Sequence, residues 1–162
     1  MLMIEALLDT PRRPDAYLTL SFEKRSRSRQ RVALDSGEEA GLFLSQGTVL
    51  RNGQLLLAKD GRVVKVLAAV EPLYEVESSD AHLLTRAAYH LGNRHVVLEI
   101  GPRYLRLQQD HVLKTLLEKL GLAVREVNIP FEPEAGAFGG SRHHHGEEKG
   151  HGGLIHHFAP RT

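Results

Sequence analysis

Short segments in which every second residue is apolar run through the first seventy residues. In residues 17–22, Leu and Phe alternate with Tyr, Thr and Ser, which is the pattern of a strand with one buried face. We predict six such strands, at residues 1–8, 17–22, 30–34, 39–44, 54–58 and 62–70. Asn52-Gly53 and Asp60-Gly61 fall between them and favour tight hairpin turns. Residues 1–72 are therefore predicted to form a small all-β domain.

A different order of elements is predicted after Pro72. The first two elements are a strand around residues 74–77 and a helix that Ser79 or Asp80 caps and Gly92 stops. Two strands follow, at 95–100 and 103–108, joined by a Gly101-Pro102 turn. The last two elements are a helix that Asp110 caps and Gly121 stops, and a strand at 123–129. This βαββαβ order is that of a ferredoxin-like domain, in which right-handed crossovers put both helices on one face of an antiparallel sheet.

The predicted fold class is α+β. A small N-terminal all-β domain is followed by a ferredoxin-like domain at residues 73–133. Beyond it, Pro, Gly, Glu and His dominate and the periodicity disappears. Residues 134–162 are therefore predicted to form a flexible, disordered His-rich tail.

Composition excludes several classes of protein. The 21 Lys and Arg residues nearly balance 20 Asp and Glu residues, so no overall basic field favours nucleic acid or anionic lipid. Without Cys there is no disulfide, thiolate metal site or cysteine nucleophile. No apolar run approaches the roughly 20 residues that span a bilayer, and the N-terminus lacks the signal-peptide pattern. We expect a cytoplasmic protein with neither a nucleic-acid nor a membrane partner.

Histidine is the residue type that stands out, because six of the ten lie within the last twenty residues. They are His143, His144, His145, His151, His156 and His157. An expression tag is the alternative, but tags are usually uninterrupted runs, whereas these histidines are interleaved with Gly, Glu and Leu. We interpret them as a native tail.

Three potential ligands outside the tail are predicted to lie together. If residues 101–102 form the hairpin turn, cross-strand pairing places His95 opposite about Gln108. His95, Asp110 and His111 then share one end of the sheet. Imidazole suits Ni²⁺, Cu²⁺ and Zn²⁺. The alternative, which position alone leaves open, is that His95 simply begins a strand and His111 simply fills the first turn of a helix.

Dimerisation would bring two copies of His95 together. The second strand of a ferredoxin-like sheet lies at an edge, so a ligand at its start can face the same residue of a second copy across a twofold axis. Tail histidines would then be available to complete the metal site. We therefore predict a homodimer.

Two further charged features have simpler explanations. His82, Arg86 and His90 form a stripe that a solvated helix face explains better than metal binding, because Arg86 repels a cation. His90, close to His95, is kept as an auxiliary ligand. The basic run at residues 24–29 is interpreted as a solvated loop or a docking patch for an acidic protein, since no aromatic residue or second basic cluster extends it.

The recurrent catalytic motifs are missing from the sequence. It contains no GxSxG, no P-loop, no HExxH and no Gly-rich dinucleotide fingerprint. Asp110-His111 alone is too common a pair to indicate a triad. We predict a binding protein and not an enzyme.

Several segments closely resemble the UreE family of urease accessory proteins. They are AAYHLGNRHVVLEI, LRLQQDHVL and NIPFEPEAGAFGG, with EKRSRSRQRVAL and GLFLSQGTVLRNGQLL in the first half. The resemblance covers essentially the whole chain, and GNRH followed by DHVL at this spacing is highly specific. It implies an N-terminal domain similar to chaperone peptide-binding domains and a ferredoxin-like C-terminal domain that dimerises and binds nickel.

The resemblance also implies roles for individual histidines. His95, in GNRH, would be the principal nickel ligand, contributed by both subunits. His111, in DHVL, and His90, in YHLGNRH, would be accessory ligands, and the tail histidines would add capacity or hand the ion over. Gln109 stands where some family members carry a histidine, which argues against a second internal site.

The implied function is delivery of Ni²⁺ for urease maturation. The implied partners are the GTPase UreG and, through the maturation complex, apo-urease. Cu²⁺ and Zn²⁺ would bind the same ligands. One alternative is passive buffering of divalent metals by the tail without a client protein. Another, a peptide-binding or nucleic-acid-binding module, would function without metal.

Overall fold

The structure is a computed structural model that describes residues 1–135. Its first elements are β1 (Leu2–Leu8), β2 (Ala16–Leu20), α1 (Phe22–Arg25), β3 (Arg29–Ala33), β4 (Glu39–Phe43), β5 (Leu55–Ala58) and β6 (Val63–Ala68). They are followed by β7 (Val70–Glu77), α2 (Ala81–Gly92), β8 (Glu99–Ile100), β9 (Tyr104–Gln108), α3 (His111–Lys119) and β10 (Val124–Pro130). The predicted α+β class is confirmed.

The first six strands form an N-terminal sheet in the order β2-β6-β5-β1-β4-β3. The pairs β1–β4 and β2–β6 are parallel, while β3–β4 and β5–β6 are antiparallel hairpins. Apolar side chains such as Ile4, Leu18, Leu42 and Leu56 are fully buried in one core. The alternation in the sequence therefore identified the buried face.

Three predictions for this half need correction. The strand predicted at 17–22 ends at Leu20, because Ser21 caps the short helix α1 by accepting a hydrogen bond from the Lys24 amide at 3.4 Å. The segment 62–70 is two strands, which meet at Ala69. Asn52-Gly53 does not close a hairpin: the strands on either side of it, β4 and β5, both pair with β1.

The last four strands form a C-terminal sheet in the order β10-β7-β9-β8, with β8 at an edge. Residues from α2 and α3, such as Leu84, Leu91 and Leu117, pack with Val76 and Leu107 of the sheet. The predicted ferredoxin-like order is thus confirmed. The longest helix in the described part of the chain, α2, has 12 residues, and no helix there is long and apolar enough to cross a membrane.

The strand predicted at 95–100 is wrong for most of its length. Only Glu99 and Ile100 pair with β9, and Glu99 lies opposite Arg106. The predicted register, which put His95 opposite Gln108, is off by two residues because the turn is centred on Pro102-Arg103 and not on Gly101-Pro102: the Gly101 amide donates to the Tyr104 carbonyl at 2.9 Å. Gly101 is needed in this turn because a Cβ atom there would lie 2.1 Å from the Tyr104 ring.

Candidate metal centre

His95 lies in the turn that ends α2. Its amide donates to the Gly92 carbonyl at 2.9 Å, and the next amide, of Val96, donates to the Leu91 carbonyl at 3.1 Å. These two hydrogen bonds form a Schellman motif, in which the residue at the His95 position takes a left-handed conformation. His95 accordingly has a φ of +56°. Gly92, the predicted helix stop, is the last residue of α2, but the left-handed residue is His95.

Backbone strain is therefore concentrated at His95. It is the one non-glycine residue with positive φ in residues 1–135. A left-handed residue with a side chain costs roughly 1–2 kcal/mol and usually persists where the site needs it. The His95 side chain is exposed, so burial of the ring does not explain the conformation. The position is therefore a candidate functional site on physical grounds.

The electric field of the helix favours a cation at His95. The C-terminal end of a helix carries a partial negative charge of about half an electron, and its unpaired carbonyl groups face outward. His90, in the last turn of α2, lies at the same negative end and is half-buried, with its ring edge-on to Tyr89 at 5.5 Å between centroids. Both residues are placed where a bound cation is stabilised.

Asp110 and His111 lie at the N-terminal end of α3, which is the positive end of that helix's dipole. Asp110 caps α3, since its Oδ1 accepts hydrogen bonds from the amides of Val112 at 2.8 Å and Leu113 at 3.0 Å. His111 is the first residue of α3 and is exposed. The positive end of the α3 dipole disfavours a cation here, and the Asp110 carboxylate is already engaged. This pair is a weaker metal position than His95.

A single chain does not assemble a complete site from its described residues. Within residues 1–135, no three His, Asp or Glu side chains lie close enough to hold one metal ion. The expected grouping of His95, Asp110 and His111 therefore does not form a three-ligand site in one chain. The tail histidines at 143–145, 151 and 156–157 lie outside the described residues. Further ligands would have to come from the tail or from a second chain.

Large apolar side chains are exposed in several segments of the C-terminal half of the chain. Tyr89, Val97, Ile100 and Val112 are between 43% and 66% exposed. They belong to the end of α2, the edge strand β8 with the residues before it, and the start of α3. Exposed apolar residues at a sheet edge are typical of a surface that another chain covers.

The structure gives the exposure of two charged surface features. His82 and Arg86 are exposed on α2, opposite the buried Leu84, Ala87 and Leu91, as a solvated helix face requires. The basic run at 24–29 is not a fully solvated loop, because its first residues complete α1 and Arg25 is 0% exposed.

A network of charged side chains lies on the other face of the C-terminal sheet and was not predicted from the sequence. Arg106 donates to the buried Glu75 and to Glu99, both at 2.7 Å. Tyr104 donates to Glu99 at 3.1 Å, and burial together with this hydrogen bond raises the pKa of Tyr104. Burial alone would lower the pKa of Arg106, but its hydrogen bonds to Glu75 and Glu99 raise it. The alternating charges of β7 were the available signal, but they indicate an exposed face as readily as a paired one.

Comparison with known proteins identifies the family. Models of the N-terminal and C-terminal domains of the UreE urease accessory protein match residues 4–69 and 71–159. A urease accessory protein UreE from Cupriavidus necator is 52% identical, over 91% of this chain and 80% of its own. UreE from Ectopseudomonas mendocina is 48% identical over 99% of both chains. UreE from a strain of Pseudomonas fluorescens is 50% identical over 91% of both chains. This chain belongs to the UreE family of urease accessory proteins.

Proposed function

We propose that this protein is a nickel carrier for urease maturation, which binds Ni²⁺ at a dimer interface and releases it to the urease assembly machinery. Membership of a urease accessory family implies a part in urease maturation and a non-enzymatic role. The proposal goes further in naming Ni²⁺ as the ion that is carried and His95 as the centre of its binding site. The observation that supports this site most strongly is the exposed His95, which is held in a left-handed conformation at the negative end of α2.

A dimer would supply the second imidazole ligand that one chain lacks. One imidazole holds Ni²⁺ weakly, and a twofold axis near His95 adds a second imidazole from the partner chain without any further residue. The exposed apolar side chains around β8 support such a contact, because they would be removed from water. His90, His111 and the tail histidines then act as accessory ligands, with Asp110 auxiliary.

Release is as important as binding for a carrier. Histidine and water ligands can be exchanged one at a time by a partner, so the ion can leave without unfolding the domain. We propose the GTPase UreG as the partner that takes the ion, and apo-urease as its destination, in the cytoplasm. Cu²⁺ and Zn²⁺ would compete for the same ligands, because divalent affinities follow the Irving–Williams order.

Passive metal buffering is the second candidate function. The observation that favours it is the group of six tail histidines, which could bind ions without a client protein. The test is nickel titration and cellular urease activation of the full chain and of a chain that lacks residues 141–162. Delivery predicts that activation largely survives through His95 in the shortened chain. Loss of nickel binding in the shortened chain with unchanged urease activation would favour buffering, because a buffer has no client protein.

A further inference from the structure

The two edges of the N-terminal sheet differ in how their backbone groups are used. At the edge strand β2, the Asp35 carboxylate accepts from the Thr19 amide at 2.9 Å, and the Asp35 amide donates to the Tyr17 carbonyl at 3.0 Å. Asp35 therefore closes this edge against another strand. The opposite edge strand, β3, pairs with β4 alone in residues 1–135.

Every second residue of β3 directs its backbone groups outward. The Leu44 amide donates to the Ser28 carbonyl at 2.9 Å, which places the even-numbered residues of this segment opposite β4. Because the direction alternates along a strand, the odd-numbered residues, Arg29, Arg31 and Ala33, point their amides and carbonyls away from the sheet. All three residues are exposed. They are therefore the positions at which a further strand would hydrogen-bond to β3.

The side chains on the outer face of β3 are basic. In the register of the sheet, Arg29 lies opposite Phe43. Arg31 lies opposite Gly41, and directly opposed residues share one face of a sheet. Phe43 is 44% exposed, and its ring lies over Gly41, where a Cβ atom would be 2.7 Å from the ring. In the described part of the chain neither arginine forms an ion pair, so two charges and an aromatic ring are available to a partner.

A cavity of about 420 Å³ opens where the chain enters β3. Its lining residues are Ser26, Arg27, Ser28, Arg29 and Gln46. Arg27 also pairs with Glu23, but both side chains are more than half exposed, and such a pair is weak in water. The cavity therefore extends the basic surface of β3 by one arginine and offers donors to an anionic group.

We propose that β3 is a docking edge for an extended segment of a partner protein, in which acidic and apolar residues alternate. The segment adds to the six-stranded sheet as a further strand. Side chains two residues apart in an extended chain are about 6.8 Å apart, which is also the repeat of Arg29 and Arg31, so consecutive carboxylates meet consecutive guanidinium groups. The apolar side chains fall on the other face beside Val32, which is half-buried against the N-terminal core.

Charge favours this occupant over a second copy of β3. Two copies paired edge to edge would bring Arg29 and Arg31 of both chains onto one surface, and like charges directly opposite each other destabilise a sheet. An acidic strand places carboxylates beside the same guanidinium groups. No histidine takes part, because residues 1–72 contain none. The docking edge is therefore independent of the proposed nickel site.

Two kinds of variant separate charge from strand addition. Arg29→Glu combined with Arg31→Glu reverses the charge of the edge. Arg12→Glu combined with Arg13→Glu is the matched control, because it changes the net charge equally at exposed arginines outside β3. Ala33→Pro removes an outward-facing amide and no hydrogen bond to β4, which is a position where an edge strand tolerates proline. Ala33→Ser is its control, and the charge variants carry the test if Ala33→Pro does not fold.

The probe is a short labelled peptide in which Glu and Val alternate, with a Lys and Val peptide for comparison. Fluorescence anisotropy gives the dissociation constant, and hydrogen exchange reports the amides of Arg29, Arg31 and Ala33. We expect the acidic peptide alone to bind and to slow exchange at these three amides. The double charge reversal in β3 should weaken binding at least about tenfold. Ala33→Pro should also weaken binding, whereas both controls should bind like the parent.

Four results would overturn the proposal. An equal loss in the Arg12 and Arg13 control would reduce the interaction to general charge attraction. Binding that leaves exchange at the three outward amides unchanged would mean that no strand was added. No binding at millimolar peptide would leave the arginines with the simpler role of keeping other strands away from the edge. Slow exchange at these amides in the parent without peptide would show that a second copy already covers β3.

Discussion

His95 occupies at the end of α2 the backbone position that Gly121 occupies at the end of α3. In each case the residue's amide donates to the carbonyl three residues earlier, and the next amide donates to the carbonyl five residues earlier. The φ angles are +56° at His95 and +94° at Gly121. Glycine is the usual residue at this position, since it has no Cβ to strain. At α2 the protein carries an imidazole there instead.

The metal-free His95→Gly variant should unfold at a higher denaturant concentration than the parent. Removing the side chain relieves the left-handed strain, and we expect a gain of up to about 1 kcal/mol, partly offset by the greater freedom of glycine in the unfolded chain. Gly121→Ala is the matched control and should be destabilised by a similar amount. A clearly less stable His95→Gly variant would show that the ring itself supports the fold.

A charged residue in place of Val97, beside the edge strand β8, should abolish the dimer. Val97→Asp puts a carboxylate among the exposed apolar side chains that we assign to the interface, where it would lose its hydration on association. Sedimentation velocity should show the parent as a dimer and the variant as a folded monomer. Phe43→Asp, at an equally exposed apolar residue of the N-terminal sheet, is the control and should stay dimeric. The interface assignment is wrong if Val97→Asp remains a dimer.

Much of the fold was predictable from sequence because its signals are local. Alternation revealed the strands, and the capping side chains of Asp80 and Asp110 mark the starts of the two longer helices. The conformation of His95 was not predictable, because Gly92 and Asn93 precede it and are better left-handed residues. The Schellman hydrogen bonds nevertheless place the turn at the third residue after Gly92.

The burial of Arg25 could not be predicted for a different reason. It stands in a run of charged residues with no apolar periodicity, and its partners at 131 and 132 are brought to it only by the tertiary fold. The candidate ligand His95 was identified by resemblance and by its predicted place at the start of an edge strand, but the strand is shorter than predicted because the helix-ending turn takes up its first residues.

Substitution of His111 should weaken nickel binding less than substitution of His95. His111 lies at the positive end of α3, where a bound cation is disfavoured, and water or a tail histidine can replace it. We expect His111→Ala to change the Ni²⁺ dissociation constant by less than about tenfold, which is less than about 1.4 kcal/mol. His82→Ala, on the solvated face of α2, is the control and should have no effect. A larger loss for His111→Ala than for His95→Ala would move the principal site to α3.

Removal of residues 141–162 should reduce the number of Ni²⁺ ions bound but keep the tightest one. The tail contributes six of the ten histidines, whereas His95 is retained in the shortened chain. Isothermal titration of both chains measures stoichiometry and affinity separately. Complete loss of tight binding would mean that the tail, and not His95, forms the principal site.

The most direct test of the account is nickel titration of the folded His95→Ala dimer beside the parent. In a twofold site one substitution removes two imidazole ligands, and the loss should be at least about 10²-fold in affinity, since each tenfold corresponds to about 1.4 kcal/mol. Urease activation in cells at limiting nickel should fall in parallel, while the dimer and its fold persist. A His95→Ala protein that binds nickel as tightly as the parent and still activates urease would contradict the central claim.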